Sequence, residues 1–458
     1  MKKTLLFVTM ILTLLGTSCG NKPKVKEEPK EKCTVQHLDW TRNAVIYEVN
    51  VRQYTKEGTF AAFETHLPRL KKLGVDVLWF MPIHPISEKN RKGTLGSYYA
   101  VKNYTEVNPE FGTKEDFKRL VTKAHEMGFK VILDWVANHT GCDNVWTTEH
   151  PDWYMKDEAG NFKSPYDWTD TYELDYDKPE MRAAMTEALK YWITEFDIDG
   201  YRCDMAHEVP TDFWNDVRPA LDSVKPVFML AESEETDLLD HAFDSNYSWE
   251  LMHLMADVNK GTKNADDIAA YIQKLDSLAS NNIVCADTYK MNFLTNHDEN
   301  SWNGTEFERY GKMTELFAVL TYTINGMPMI YTGQEVGLKK RLSFFEKDMV
   351  PSWTENATTA FYKKLNELKH THPALRAGDM GGEFRRYSST DGDKLLIYSR
   401  ERAGKEIMVM LNMSNKNLNY SSNDALFRDG YVDFFTGKKV GLLPTSLKAY
   451  EYRVFIRG

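Results

Sequence analysis

Along the chain, apolar and polar positions switch between two rhythms. Short unbroken apolar runs, the pattern of strands buried on both faces, occur at Ala44–Val51, Val75–Met81, Lys130–Val136, Ile198–Cys203, Val227–Ala231, Phe293–Thr295 and Met327–Tyr331. A weaker eighth lies near Ala242–Trp249. Between them sit stretches with helical spacing. In Lys114–Met127 the residues Phe117, Leu120, Val121, Ala124 and Met127 share one face, Thr113 with Asp116 forms a capping-box pattern, and Gly128 is a stop. Pro179 opens another such stretch, with Met181, Met185, Ala188 and Trp192 facing inward. Strand–helix alternation repeated about eight times predicts parallel strands joined by helices, and that number favours a closed (β/α)8 TIM barrel over an open doubly wound sheet. An open sheet would usually carry a glycine-rich phosphate turn after an early strand, and the sequence has none.

Two stretches break the rhythm. Residues 141–178 are rich in Asp, Trp, Tyr and turn formers, lack a helical period and follow the third strand, so they read as a short insertion over the barrel mouth. From about Gly378 the period becomes two, in Lys394–Arg400, Glu406–Met413 and Ala449–Ile456. That predicts a C-terminal antiparallel β-sandwich domain over 378–458, after a barrel over 39–377. At the other end, Lys2 and Lys3 precede an apolar run, Leu5–Leu15, too short to span a bilayer and typical of a signal-peptide core over residues 1–18. The run ends in Gly16-Thr17-Ser18-Cys19, which resembles a bacterial lipoprotein signal, although Gly16 stands where Leu is usual. Lipidation of Cys19, followed by a Lys/Glu/Pro-rich tether over 19–38, predicts a cell-envelope protein that meets a membrane only through its anchor. An ordinary secretory signal with an incidental Cys is the alternative.

Composition narrows the class. Of the 458 residues 42% are hydrophobic and 27% charged, which predicts a packed core rather than disorder. The net charge of −10, with no long basic block, argues against nucleic acid as a partner. Aromatic residues reach 13%, and flat side chains suit stacking on sugar rings, though most belong to the core. The five cysteines, Cys19, Cys33, Cys142, Cys203 and Cys285, lack metal-ligand spacing. An oxidising envelope permits a disulfide, but a chain this long buries a sufficient core without one, so none is expected to be needed.

The candidate chemistry lies where barrel strands end. Residues 130–140 (KVILDWVANHT), 199–204 (DGYRCD), 227–232 (VFMLAE) and 293–299 (FLTNHDE) each finish an apolar run in ionisable groups. One such ending is a charge meeting solvent. Four at the C-terminal face of one barrel converge, and they bring Asp134, Asn138, His139, Arg202, Asp204, Glu232, His297 and Asp298 toward one pocket. Carboxylates without a Cys/His metal cluster point to acid/base or covalent carboxylate chemistry.

DWVANHT at 134–140, GYRCD at 200–204, AE at 231–232 and TNHDE at 295–299 resemble, in order, the four main motifs of the α-amylase family of glycoside hydrolases. GVDVLWFMPI at 74–83, GSYYAVKNYTEVNPEFGTKEDF at 96–117 and ELDYDKPE at 173–180 extend the likeness over nearly all of residues 40–458. The resemblance implies the barrel, the insertion after strand three and the C-terminal β-sandwich. It also implies Asp204 as nucleophile, Glu232 as general acid/base and Asp298 as transition-state stabiliser. Glu234 and Glu235 compete for the acid's role, but Glu232 closes the apolar strand whereas they begin a polar loop. Arg202, two residues before Asp204 and so on the same side of the strand, favours an ionised nucleophile. Glu232 needs a less polar or more anionic setting to keep its proton. Tyr99, with Tyr98 as the adjacent alternative, matches the aromatic under the sugar before the cleaved bond. His139 and His297 match its hydrogen-bonding partners, and Arg202 joins these substrate-side residues. Asn138 and Asp175 match positions that ligate a structural calcium in many relatives, but Glu208 replaces a frequent His there, and loop hydrogen bonding is the alternative. No organic cofactor is implied.

The activity implied is retaining hydrolysis of α-1,4-glucosidic bonds in starch-like α-glucans or maltooligosaccharides. Neopullulanase-like or debranching activity and glucanotransfer are alternatives on the same scaffold, and a non-catalytic glycan-binding relative would have lost the carboxylates. The short insertion further predicts an open cleft that cuts within chains, with Trp146, Trp153, Tyr154, Tyr166 and Trp168 as candidate sugar platforms.

Overall fold

The computed structural model describes residues 33–422 and 430–458. The signal peptide, Cys19 and most of the tether lie outside the described residues. Eight strands close the barrel: β1 (Ile46–Val49), β2 (Val77–Phe80), β3 (Lys130–Val136), β4 (Gly200–Asp204), β5 (Phe228–Ala231), β6 (Ser245–Tyr247), β7 (Tyr289–Asn292) and β8 (Met327–Tyr331). Each pairs in parallel with the next, and β8 pairs with β1. Nearly every strand residue is buried, because helices cover the outside and packed side chains fill the inside, which is why the sequence shows continuous apolar runs. The weak eighth run is β6. The seventh strand ends at Asn292, so the run Phe293–Thr295 lies just past the ladder. Phe293 is apolar there for another reason, packing edge-on against Tyr247 and Trp249 under the mouth.

Register sets the height of the site. Asp134 pairs with Arg202 and Val136 with Asp204, while Cys203 opposite Ala231 brings Glu232 level with Asp204. Gly200 makes the β4–β5 approach possible: a Cβ there would stand 1.8 Å from Phe228 O, at a φ of +149°. The helix Lys114–Glu126 has the full capping box between Thr113 and Asp116. After β3, the insertion is pinned by a short hairpin, His139–Gly141 against Thr171–Glu173.

The C-terminal unit is a six-stranded antiparallel sheet, with β9 (Glu383–Tyr387), β10 (Leu395–Arg402), β11 (Lys405–Asn412), β12 (Tyr431–Asp433), β13 (Lys439–Val440) and β14 (Tyr452–Arg457) in the order β9-β10-β11-β14-β12-β13. Alternation gives it two apolar faces. Leu396, Tyr398, Ile407, Val409 and Val454 join the barrel core, while Leu395, Ile397, Met408 and Phe455 pack beneath Leu418 and Leu447 of a two-stranded sheet.

A disulfide joins Cys33 to Cys285, contrary to the expectation that none is needed; Cys142 and Cys203 are free and buried. The core-size argument did not reach the segment that uses the bond. Residues 33–44 run along the base of the barrel, with Thr34 N–H donating to Asp240 O and His37 bonded to Asp244 just before β6, and they bury little themselves.

Candidate active site

Arg202 is the hub. Its side chain is wholly buried, and Nη1 donates to Asp134 Oδ1 at 2.8 Å and to Asp204 Oδ1 at 3.0 Å. Nε donates to the Tyr247 hydroxyl at 2.9 Å. Nη2 lies 2.9 Å from Glu232 Oε1, an ion contact whose angle falls short of a hydrogen bond. Carboxylates from β3, from β4 and from the end of β5 thus gather on one cation, and the cation cannot leave without stranding them. The rings of Trp79 and Tyr247 flank the guanidinium at 5.1 and 5.6 Å.

Asp204 and Glu232 face each other across that group. Burial pushes the Asp204 carboxyl well above its ordinary value, the charge of Glu232 adds to this, and Arg202 opposes both. Glu232 Oε2 accepts the Met205 N–H at 2.9 Å. Met205 has a left-handed backbone, φ +45°, an unfavourable conformation for a residue with a side chain, and this turn aims its N–H at Glu232.

On the far side, His297 bridges two acids. Nε2 is 3.1 Å from Asp298 Oδ2 and Nδ1 is 2.5 Å from Glu48 Oε1. Burial works against a charged imidazole, but Asp298 and Glu48 outweigh it and hold the pKa well above the ordinary value. The Tyr99 ring stacks on His297 at 5.2 Å, and its hydroxyl bonds both His297 Nε2 and Asp134 Oδ2. Tyr98 turns away, donating to Asn50 beneath the Arg52 guanidinium, so Tyr99 is the ring at the cleft. His139 also faces the cleft, and burial lowers its pKa to about 4, leaving a neutral imidazole.

Tyr99, His139, Asp204, Glu232 and Asp298 line a cleft of about 530 Å³, together with Lys92, Trp168, Asp170, Trp302, Phe344 and Phe345. Asp134, Arg202 and His297 are buried at its edge and do not line it; neither does Asn138. Residues 42–377 match the family described as the alpha amylase catalytic domain. The chain belongs to the α-amylase family. A noncanonic maltogenic alpha-amylase from Thermotoga neapolitana superposes with a TM-score of 0.81 at 29% identity, covering 91% of this chain and 99% of that one. An alpha-amylase from Lactobacillus plantarum gives 0.81 at 31% identity with the same coverage. Alpha-amylase 3 of Dictyoglomus thermophilum is 25% identical over 501 residues, 93% of this chain and 92% of its own.

In this α-amylase family member, sequence reading missed several site residues. Glu48 carried one signal, a lone acid inside the apolar strand IYEV. Lys92, Asp170, Phe344 and Phe345 sit in loops without a period, and Trp302 in the π-helical turn Glu299–Asn303, so they reach the cleft only through tertiary packing. Of the insertion aromatics, Trp168 lines the cleft and Tyr166, 62% exposed, stands beside it with its hydroxyl bonded to Glu208. The others are packing residues. Trp146 lies against Tyr104 and Trp153, and Tyr154 bonds Thr140. Asp175 has its carboxylate bonded to the Asp177 N–H and 3.6 Å from Lys178 Nζ, and Asn138 O accepts the Leu174 N–H. Among the described residues no group of three or more His, Cys, Asp or Glu converges as a metal site. This donor set, one lysine-paired carboxylate and an amide, fits calcium poorly.

Proposed function

We propose that this protein is a retaining glycosidase of the α-amylase type that hydrolyses α-1,4-glucosidic bonds in maltooligosaccharides and starch-like α-glucans. The observation that carries the reading is the arrangement of Asp204, Glu232 and Asp298 on one cleft around the buried Arg202. Tyr99 is the platform for the sugar before the cleaved bond, with His139 and His297 at its hydroxyls. The Asp204 carboxylate attacks the anomeric carbon while Glu232 gives its proton to the departing glycosidic oxygen, leaving a glycosyl ester on Asp204. Glu232 then takes a proton from water as that water opens the ester, which restores both groups. Asp298 stabilises the positive charge that develops on the sugar ring in the transition state of each step.

The two roles predict different chemistry on removal. Asp204→Asn and Glu232→Gln should each lower kcat by about 10³-fold or more with the fold intact by circular dichroism. Azide should restore part of the turnover of Glu232→Ala on an aryl glycoside with a good leaving group, releasing a glycosyl azide. NMR of the first product should show the α-anomer. Wild-type rates in either single variant would overturn the residue assignment, and an initial β-anomer would overturn retention.

A further inference from the structure

The cleft has two unlike ends. Past Glu232 it runs into an exposed groove of about 490 Å³ bordered by Met205, His207, Ser233 and Trp249. Glu232 protonates the leaving oxygen, so this groove receives the part of the glucan that departs first. The other end, beyond Tyr99, is crossed by residues 88–97. On one flank Asn90 Nδ2 donates to Thr169 O at 3.2 Å, and Lys92 Nζ pairs with Asp170 Oδ1 at 3.1 Å, which ties the segment to the insertion. On the other flank Leu95 N–H donates to Phe345 O at 3.1 Å and Thr94 N–H to Glu346 Oε1 at 2.9 Å. Arg52 beneath holds the Leu95 and Gly96 carbonyls. Gly93 lets the two loops touch: a Cβ there would lie 2.5 Å from Phe345 Cβ, at φ +64°. The result is a continuous arch from the insertion to the loop after β8, with Lys92, Asp170 and Phe345 facing the cleft.

We propose that this arch closes the glycone end of the cleft, so that the enzyme acts from non-reducing chain ends, with Lys92 and Asp170 recognising the terminal sugar. The inference rests on the assignment of Glu232 as the acid above. An internal glucosyl unit has its 4-oxygen substituted, and its chain would have to continue through the arch. A terminal unit presents free vicinal hydroxyls at positions 3 and 4. The Lys92 ammonium has donors to spare beyond the one on Asp170, and the Asp170 carboxylate, in a residue only 4% exposed, offers acceptors. A half-buried ion pair built to bond hydroxyls discriminates strongly against a substrate that lacks them, since its own groups are then left unmatched.

The test compares two maltoheptaoses, one free and one capped with a 4,6-O-ethylidene group at its non-reducing end, by kcat/KM and by chromatography of the first products. The free sugar should be cleaved at least about 20-fold faster, with one short product dominating from the start. Lys92→Ala should narrow that preference at least fivefold and broaden the early products. Equal kcat/KM for the two sugars in the unmodified protein would overturn the proposal whatever the variant does. Failure to cleave either one would instead overturn the glycosidase reading, and the proposal with it.

Discussion

Arg202 and His297 show how single residues divide the electrostatic work of this pocket. Arg202 is shared among acids that must not all be ionised in isolation. His297 is a cation made by its neighbours: in a pocket that disfavours charge, Glu48 and Asp298 keep its proton on. The sign of its pH dependence follows. A histidine whose folded pKa is raised contributes stability that is complete below its ordinary pKa of about 6.5 and is lost as pH climbs through the raised value. Glu48→Gln removes one of the two acids, so His297 should titrate at lower pH. The alkaline limb of kcat/KM and the alkaline fall of Tm should both move toward neutrality, and the His297 imidazole signals in NMR should shift over the same range. An unmoved histidine titration would show that Asp298 alone sets the charge.

Elements differ in how much of their placement the sequence reveals. Six barrel strands were legible because burial on both faces forces uninterrupted apolar residues, whereas β7, Tyr-Lys-Met-Asn, has no such run and the sequence placed it at the residues that follow; the carboxylates were legible because an ionisable group after an apolar run is conspicuous. β6 is only three residues long, too short for a firm pattern. The arch 88–97 and the loop bearing Phe344 and Phe345 have no period at all; their positions come from contacts between loops far apart in the chain, which one-dimensional spacing cannot express. Glu48 falls between these cases, visible as an oddity but without a partner until the closed barrel brings His297, from the loop after β7, onto it. The insertion gives the element-scale prediction. Its hairpin is closed by backbone pairing, and Asp175 is bonded to Asp177 and close to Lys178. Chelation with EDTA should therefore leave Tm within about 1 °C, because a lysine-paired carboxylate and an amide offer a calcium ion little to hold it. A drop of 5 °C or more, reversed by added calcium, would establish a site at Asn138 and Asp175 after all.

At the scale of the whole molecule, the barrel carries its chemistry at one face and takes up the chain at the other. We propose envelope anchoring through a lipid on Cys19, supported by the charged and apolar pattern of residues 2–19 and in keeping with the Cys33–Cys285 disulfide, a bond that persists in oxidising compartments. Cys19→Ser should move the protein from the membrane to the soluble fraction of a fractionated cell without changing kcat. Unchanged membrane association would remove the anchor from the account.

The disulfide has a mechanical corollary. Cys285 lies in the turn that leads into β7, and residues 33–44 are stitched along the same base through Asp240, Asp244 and Asp287. Force applied to the amino end is therefore delivered first to a covalent bond and then to the rim of the barrel farthest from Asp204. A glucan pulling at the mouth and a load hung on the tether strain opposite ends of one stiff cylinder.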